Sequence, residues 1–316
     1  MQTFFPISRL KRTYPNPVLA IGVFDGVHRG HQRLLQTVVE KARKIRGTAM
    51  VLTFYPHPVH VLNPEKENPL IVSLPYRLKL IEQLNIDVCL VIHFTKHFSR
   101  LSPEKFIQRY LIEKLHPKEI AVGDDFRFGQ NRAGDLEYFE KAGRQYDFTV
   151  STVPTTQSGK RKIGSSRIRQ LILEGKLKAA AKLLNRPVSI LGRVIRGDGR
   201  GKKLGYPTVN IHPGEIILPP LGVYIVRVCL ADKLHCGIAN IGRRPSFKRA
   251  GKVNVEVHIF DFNLNVYDKE ITIEFLKRIR DERHFRSPEE LIRQIRRDER
   301  SARRYFQNKE NFLPDY

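Results

Sequence analysis

The sequence predicts two domains of different class, an α/β domain with a doubly wound parallel sheet and then an antiparallel β domain. In the first half, short apolar runs alternate with helical patterns, which is typical of strands covered by helices on both faces. After Pro187, short strands with alternating polarity follow one another, as in a small barrel or sandwich. The 316 residues are enough for two cores of ordinary size.

Composition limits the classes of function. No apolar run approaches the ~20 residues of a membrane span. Three scattered cysteines have neither metal-site nor disulfide spacing, so we expect a cytoplasmic protein. The net charge of +24 fits either a polyanionic partner or a solvated basic surface with sites for nucleotides. Because the basic residues are spread along the chain, the second interpretation is favoured.

The first element of the chain is a strand, a tight Asp-Gly turn and the start of a helix. Residues 18–24 are almost entirely apolar, and the helical pattern begins near Gly30 and ends at Gly47. His28, Gly30 and His31 therefore lie at a helix N-terminus, where backbone N–H groups and the helix dipole bind anions. The pattern favours a nucleotide site over an ordinary histidine pair, and no third ligand lies nearby for zinc.

The same alternation continues through the first half, with strands at 48–54, 87–94 and 119–122 and helices at 73–84, 102–115 and 166–174. The last of these strands ends in the loop 123–129, where carboxylates either form an Asp-rich turn or accept hydrogen bonds from a ribose or base. Ser165 and Ser166 stand at a helix start. Their hydroxyls either cap the helix or bind phosphate beside Arg169.

In the second half the predicted strands are 188–195, 206–211, 223–230, 235–241, 252–260 and 270–279, and a terminal helix starts at Ser287. The glycine-rich basic loop 197–205 is by itself a weak sign of a phosphate site. Thr208 and Asn210 are two apart on a strand, so both side chains can ligate one hard cation. Glu256 is either an exposed strand residue or a base for a hydroxyl proton.

These motifs follow the order of a known family. The chain resembles prokaryotic bifunctional riboflavin kinase/FAD synthetases over nearly its whole length. Residues 22–31 resemble the nucleotidylyltransferase signature GxFDGxHxGH, and 123–129 match GDDFRFG. Residues 164–169 resemble SSTxxR, with Gly164 for the first serine and Ser166 for threonine. Residues 207–210 match the kinase motif PTxN, and the segments 255–258 and 280–285 also match.

The resemblance implies a Rossmann-like FMN adenylyltransferase domain over 1–185. It implies a riboflavin kinase domain over 186–316, built as a six-stranded antiparallel barrel with a terminal helix. The implied substrates are riboflavin, FMN and ATP, with Mg²⁺ as the metal and no obligate nucleic-acid or membrane partner. The oligomeric state, including a homo-oligomer, is left open.

The resemblance also implies a set of site residues. The catalytic residues would be His28, His31 and Glu256, and the metal ligands Thr208 and Asn210. Flavin contacts would come from Asp125, Phe126, Arg280 and Glu282. ATP contacts would come from Gly22, Phe24, Gly26, Gly30, Ser165, Ser166, Arg169, Gly199, Lys203 and Thr208.

Two other classes of function stay open at this point. A different adenylyltransferase, acting on nicotinamide mononucleotide or pantetheine phosphate, would leave the 207–210 motif and Glu256 without a role. An RNA-binding protein is the second class, because residues 28–31 also resemble the signature of class I tRNA synthetases. That class lacks support from a second lysine-rich catalytic signature or from room for an anticodon-binding domain.

Overall fold

The structure is a computed structural model that describes residues 1–10, 12–159, 161–197, 199, 201, 204–231, 233–243 and 253–308. The chain forms two compact units. The first contains Met1–Pro69 and Leu74–Gly164, and the second contains Leu70–Ser73 and Ser165–Tyr316. The domain boundary predicted between residues 185 and 186 stays a prediction.

Within its described residues, the first unit has a six-stranded parallel sheet in the order β1-β4-β3-β2-β5-β6. Every residue of the central strand β2 is buried, which confirms the predicted sheet covered on both faces. The strands are β1 Gln2–Phe4, β2 Pro17–Ile21, β3 Thr48–Tyr55, β4 Val88–His93, β5 Glu119–Gly123 and β6 Thr149–Val153.

The first unit also contains a short hairpin of β7 Gln157–Ser158 and β8 Arg161–Lys162. The helix expected over 102–115 is interrupted by a π-helical segment, Ile107–Ile112. The α-helices are α1 Arg29–Lys44, α2 Pro58–Leu62, α3 Leu74–Glu82, α4 Lys96–Ser99, α5 Pro103–Phe106, α6 Glu113–Leu115 and α7 Leu136–Tyr146, with 3₁₀ turns at Ile7–Arg9 and Gln130–Arg132.

Helix α1 forms because its apolar side chains repeat at helical spacing. Leu34, Leu35, Val38 and Ala42 share the buried face. Beyond its C-terminus, Gly47 is required by a close backbone approach, because a Cβ there would lie 2.1 Å from the carbonyl oxygen of Asn16. The packed face of α1 fixes its N-terminus at the carboxyl end of the sheet.

The second unit closes six antiparallel strands into a barrel in the order β10-β13-β12-β11-β14-β9, counted within its described residues. This result selects the barrel over the sandwich. The strands are β9 Val188–Ile195, β10 Val209–Ile211, β11 Gly222–Leu230, β12 Lys233–Arg243, β13 Val253–Ile259 and β14 Glu270–Arg280. β10 is shorter than the predicted strand 206–211, and Pro207 has no N–H for the ladder.

Three helices belong to the second unit in its described part: α8 Ser165–Leu173, α9 Leu177–Leu184 and α10 Pro288–Gln307. Helix α10 begins as predicted, with Ser287 accepting the N–H of Glu290 at 3.2 Å. Ala302 on α10 packs into a cluster of buried residues from the barrel wall that includes Val223 and Ile238. One face of the terminal helix is thereby fixed to the barrel.

Candidate active sites

The loop between β2 and α1 has an unusual backbone. Phe24, Gly26 and Val27 have φ values of +54°, +82° and +40°. The left-handed region is unfavourable for a β-branched residue such as Val27, so neighbours must hold it. The N–H of Val27 donates to the carbonyl of Phe24 at 3.1 Å, and its own carbonyl accepts Nε2 of Gln32 at 2.8 Å. The loop is thus pinned to the first turn of the helix.

His28 caps helix α1. Its Nδ1 accepts the backbone N–H of His31 at 3.3 Å, and the side chain is buried. Because Nδ1 accepts, Nε2 is the ring nitrogen that can carry the N–H. The ring also stacks on that of His31, with centroids 3.6 Å apart and an interplanar angle of 18°. The helix end therefore presents two aligned imidazoles.

His31 is enclosed by the loop. The edge of the Phe24 ring contacts it, with centroids 5.2 Å apart, and its Nδ1 has no hydrogen-bond partner among the described residues. Burial, followed by the charges of His28 and Arg77, holds the pKa of His31 well below its usual range. His31 is therefore a neutral imidazole at pH 7. Phe24 supports this ring, and its own contact with ATP stays a prediction.

The sequence analysis missed a buried cation beneath this loop. Arg77 on α3 is fully buried, and its Nη1 donates to the carbonyls of Val23 at 2.9 Å and Phe54 at 3.2 Å. Burial lowers the pKa of Arg77 and the charge of Asp25 opposes that effect, so the guanidinium stays protonated. Arg77 therefore joins the loop that follows β2 to the C-terminal end of strand β3. The sequence around it shows only an amphipathic helix, which carries no signal for this role.

The glycines of the first motif make room for these rings. A Cβ on Gly22 would lie 2.9 Å from the ring of Phe24. A Cβ on Gly30 would lie 3.2 Å from Cε1 of His28 and 3.7 Å from Oγ1 of Thr156. Thr156 Oγ1 is buried without a hydrogen-bond partner among the described residues. The histidines thus pack closely against Gly30.

The loop after β5 is tied down by its own side chains. Asp124 accepts the backbone N–H of Thr155 at 3.0 Å and also the Thr155 hydroxyl, and these bonds lower the pKa of Asp124. Asp125 pairs with Lys162 at 2.5 Å. The ring of Phe126 stacks on those of the core residues Phe128 and Phe139. The flavin contacts of Asp125 and Phe126 stay predictions.

Ser165, Ser166 and Arg169 lie in the first turns of α8, in the second compact unit. Their contact with ATP phosphates stays a prediction. A Cβ placed on Gly164 would meet nothing within 4 Å. The glycine in place of the motif's usual serine is therefore not required by packing.

In the second unit, a cavity of about 280 Å³ brings together four predicted site residues: Thr208, Glu256, Arg280 and Glu282. Apolar side chains complete its lining, including Leu204, Ile238, Phe285, Leu291 and Ile295. Asn210 is the register partner of Glu256 across β10 and β13. Gly199 has a φ of +69° and open space at its Cβ position, whereas Lys203 lies outside the described residues.

Asn254 on β13 was missed by the sequence analysis. Its Nδ2 donates to Oδ1 of Asn210 at 2.8 Å and to Oε1 of Glu256 at 3.2 Å. A Cβ on Gly197 would lie 2.2 Å from Nδ2 of Asn210, so this glycine makes room for the amide. The alternating pattern of β13 could have indicated that Asn254 and Glu256 share one face of the strand. It could not have indicated the hydrogen bonds that Asn254 donates to Asn210 and Glu256.

A buried ion pair holds the part of the cavity that lies at the C-terminal end of β14. Arg280 Nε donates to Oδ2 of Asp298 at 2.9 Å, and Asp298 is only 2 % exposed. Nε2 of Gln294 donates to the other carboxylate oxygen of Asp298 at 2.7 Å. The guanidinium of Arg280 lies 5.6 Å from the centroid of the Phe285 ring. Helix α10 therefore sets the position of Arg280.

The oxygen atoms of Thr208 and Asn210 indicate which kind of metal ion would suit the second unit. Among the residues that the structure describes, no group of three or more His, Cys, Asp or Glu side chains could bind a metal ion. Thr208 and Asn210 offer a hydroxyl and an amide oxygen, which are hard donors suited to Mg²⁺. Two such donors fit an ion whose other ligands come from a nucleotide.

Comparison with known proteins agrees with this geometry. A family model described as FAD synthetase matches residues 10–167, and one described as riboflavin kinase matches residues 184–306. A bifunctional riboflavin kinase/FMN adenylyltransferase from Buchnera aphidicola subsp. Schizaphis graminum is 41% identical over 303 residues, covering 95% of this chain and 97% of the relative. The chain belongs to the bifunctional riboflavin kinase/FMN adenylyltransferase family. It is an enzyme with a riboflavin kinase domain and an FAD synthetase domain.

Other members of the family are similar over nearly their whole length. The enzyme of the same name from Escherichia coli K12 is 39% identical, with 92% of each chain covered. That from Bacillus subtilis strain 168 is also 39% identical, with 96% of each chain covered. These matches decide against the nicotinamide, pantetheine and RNA-binding interpretations.

A solved structure has the same fold. The crystal structure of a protein titled macrolide-efflux protein from Streptococcus pneumoniae matches with a TM-score of 0.82 and 31% identity, covering 95% of this chain and 98% of that one. In the described part of this chain, no helix is both long and apolar enough to cross a membrane.

Proposed function

We propose that the second unit transfers the γ-phosphoryl group of ATP to the 5′-hydroxyl of riboflavin, giving FMN and ADP. The observation that carries this proposal is the cavity that joins Glu256 and Thr208 to an apolar lining. The isoalloxazine ring is large and apolar, so Phe285, Leu291 and Ile295 suit its burial. Arg280 and Glu282 supply polar contacts at the flavin's edge.

Glu256 is the base of the kinase step. It is half-buried and lines the cavity, so its carboxylate can reach a hydroxyl bound there. As the riboflavin oxygen bonds to the γ-phosphorus, the bond from phosphorus to the β–γ bridging oxygen breaks. The hydroxyl proton passes to Glu256, and ADP leaves.

Thr208 and Asn210 would hold Mg²⁺ together with ATP phosphate oxygens in this site. When bound, the ion neutralises charge on the transferring phosphoryl group. Two observations support this assignment: Thr208 lines the same cavity as Glu256, and Asn210 is the register partner of Glu256. Gly199 and Lys203 belong to the loop proposed to follow the phosphates.

The first unit carries out the second reaction. A phosphate oxygen of FMN attacks the α-phosphorus of a second ATP, the bond to the β-phosphate bridging oxygen breaks, and FAD and pyrophosphate form. His28 and His31 at the N-terminus of α1 donate hydrogen bonds to the phosphate oxygens, on which charge increases. Gly30 allows a phosphate to approach the backbone. Asp125 and Phe126 are proposed to contact the flavin.

The test is to incubate the purified chain with riboflavin and excess Mg-ATP and to separate the flavins by chromatography. We expect FMN first and FAD second. A chelator for Mg²⁺ should stop FMN formation. If riboflavin stays unchanged while ATP binds, the proposed kinase reaction is wrong. If FMN accumulates and never becomes FAD, the proposed reaction of the first unit is wrong. The cytoplasmic location stays a prediction from the sequence, and the oligomeric state stays open.

A further inference from the structure

Asn254 lies two residues before Glu256 on β13, so both side chains leave the same face of the strand. It is buried, with 7 % of its surface exposed. One amide nitrogen, Nδ2, contacts Asn210 Oδ1 at 2.8 Å and Glu256 Oε1 at 3.2 Å. A single NH₂ group thus bridges two strands and two proposed functional side chains.

The hydrogen-bonding chemistry fixes the orientation of the Asn254, Asn210 and Glu256 side chains. An ionised carboxylate only accepts hydrogen bonds, so the nitrogen of Asn254 has to face Glu256. The second proton on that nitrogen then points to Asn210 and requires an oxygen there. Asn254 therefore orients the Asn210 amide so that Oδ1 of Asn210 faces Nδ2 of Asn254. An amide oxygen has two lone pairs, so accepting one hydrogen bond does not by itself prevent it from ligating a cation.

The opposite side of the Asn210 amide is closed by the backbone. A Cβ on Gly197 would lie 2.2 Å from Asn210 Nδ2 and 2.7 Å from Cγ. The amide is held between this glycine and the NH₂ group of Asn254. Its rotation is restricted from both sides.

We propose that Asn254 is a positioning residue of the kinase reaction, which aligns the metal ligand Asn210 and the base Glu256 through one shared amide. This inference rests on the proposed function of the cavity. Phosphoryl transfer depends on placing the metal and the base correctly around the same phosphorus. A neighbour that orients a ligand typically changes metal affinity or activity by about 10- to 100-fold when it is lost.

The principal variant is Asn254→Leu, which keeps nearly the same size but has no donor. The matched control is Thr272→Val, which removes a buried polar group from β14 of the same barrel without touching the cavity lining. FAD formation from supplied FMN reports that the first unit of each variant is folded. We expect Asn254→Leu to lower kcat for FMN formation about 10- to 100-fold with the riboflavin KM nearly unchanged, and Thr272→Val to leave both constants near wild type.

A second measurement does not need turnover. Calorimetry of ADP binding, without riboflavin, is compared at several Mg²⁺ concentrations and in chelator. The variant and the wild-type protein have the same first unit. Any difference in their ADP binding therefore comes from the second unit. We expect Asn254→Leu to weaken the Mg²⁺-dependent part of ADP affinity and to leave the affinity in chelator unchanged.

Asn254→Ser provides a graded variant that keeps one donor, and we expect it to fall between wild type and Asn254→Leu in both measurements. If Asn254→Leu does not fold, this serine variant carries the test. The inference would be overturned if Asn254→Leu kept both the wild-type kcat and the wild-type Mg²⁺-dependent ADP affinity. It would also be overturned if Thr272→Val lost as much kinase activity as Asn254→Leu. A wild-type protein that makes no FMN would instead refute the proposed function.

Discussion

The rings of His28 and His31 stack at 3.6 Å, and the backbone N–H of His31 donates to Nδ1 of His28. The capping bond and the stacking hold both imidazoles in one arrangement at the N-terminus of α1. Because His31 is neutral at pH 7, the polar groups that this site offers to an anion are N–H donors and the helix end. This arrangement suits charge that increases during the reaction.

The lowered pKa of His31 predicts how the stability of the first unit depends on pH. The unfolded chain takes up a proton near the ordinary histidine pKa of about 6.5, whereas the folded unit does so only at lower pH. The free energy of unfolding should therefore fall as pH drops below about 6.5, by up to about 1.4 kcal/mol per pH unit from this group. Chemical denaturation at pH 7.5 and 5.5 measures it. His31→Phe should reduce the pH dependence, and an unchanged dependence would contradict the account.

Arg77 should matter for FAD formation and not for FMN formation. Arg77→Met removes the Nη1 donor that the carbonyls of Val23 and Phe54 share, and only the Val23 carbonyl keeps a second side-chain donor, the Thr53 hydroxyl at 3.0 Å. Loss of a buried hydrogen-bond partner costs about 1–3 kcal/mol. We expect a less stable first unit and at least a tenfold slower conversion of FMN to FAD, because the loop that carries Phe24 loosens. Riboflavin kinase activity of the same protein is the control. Equal losses in both activities would contradict this role.

Gly164→Ser should be tolerated, because a Cβ there meets nothing within 4 Å. We expect a stability change within about 0.5 kcal/mol and a lower ATP KM for FAD formation, since the serine supplies the hydroxyl that the family motif usually has. Gly47→Ser is the matched control. Its Cβ would lie 2.1 Å from the Asn16 carbonyl oxygen, so we expect clear destabilisation in thermal unfolding. Comparable stability losses in the two variants would show that the described packing is wrong.

Gly197→Ala should reduce the kinase reaction selectively. The new methyl group would overlap the Asn210 amide and turn it away from Asn254. We expect slower FMN formation with FAD formation from FMN retained. Gly214→Ala is the comparison, since it costs backbone strain at φ +66° but has open space at its Cβ. Steady-state assays of both steps measure the effect, and equal kinase losses would count against the Asn210 arrangement.

Sequence reasoning predicted the architecture well where one local pattern decides an element. The central strands of the sheet and helix α1 followed from apolar runs and helical spacing. It missed the edge strands β1 and β6, because β1 has three residues and β6 reads TVSTV, which is no more apolar than a loop. The sequence alone could not distinguish a barrel from a sandwich, because closure of the sheet depends on pairing between strands that are distant in the chain.

The site residues divide in the same way. Motifs singled out His28, His31, Thr208 and Glu256 as candidate site residues, because their chemistry and spacing are local, and their roles stay predictions. Supporting residues are set by the three-dimensional packing, and Arg77, Asn254 and Asp298 carry no such local signal. Each is buried and bonds to a segment at least 18 residues away.

The central claim is that two separate sites perform the two steps, one in each unit. The direct measurement is the flavin output of Glu256→Gln and His28→Ala, each supplied with Mg-ATP and either riboflavin or FMN. The account predicts that Glu256→Gln makes no FMN from riboflavin but converts FMN to FAD. It predicts that His28→Ala accumulates FMN and makes no FAD. Loss of both reactions from either folded variant would contradict the account.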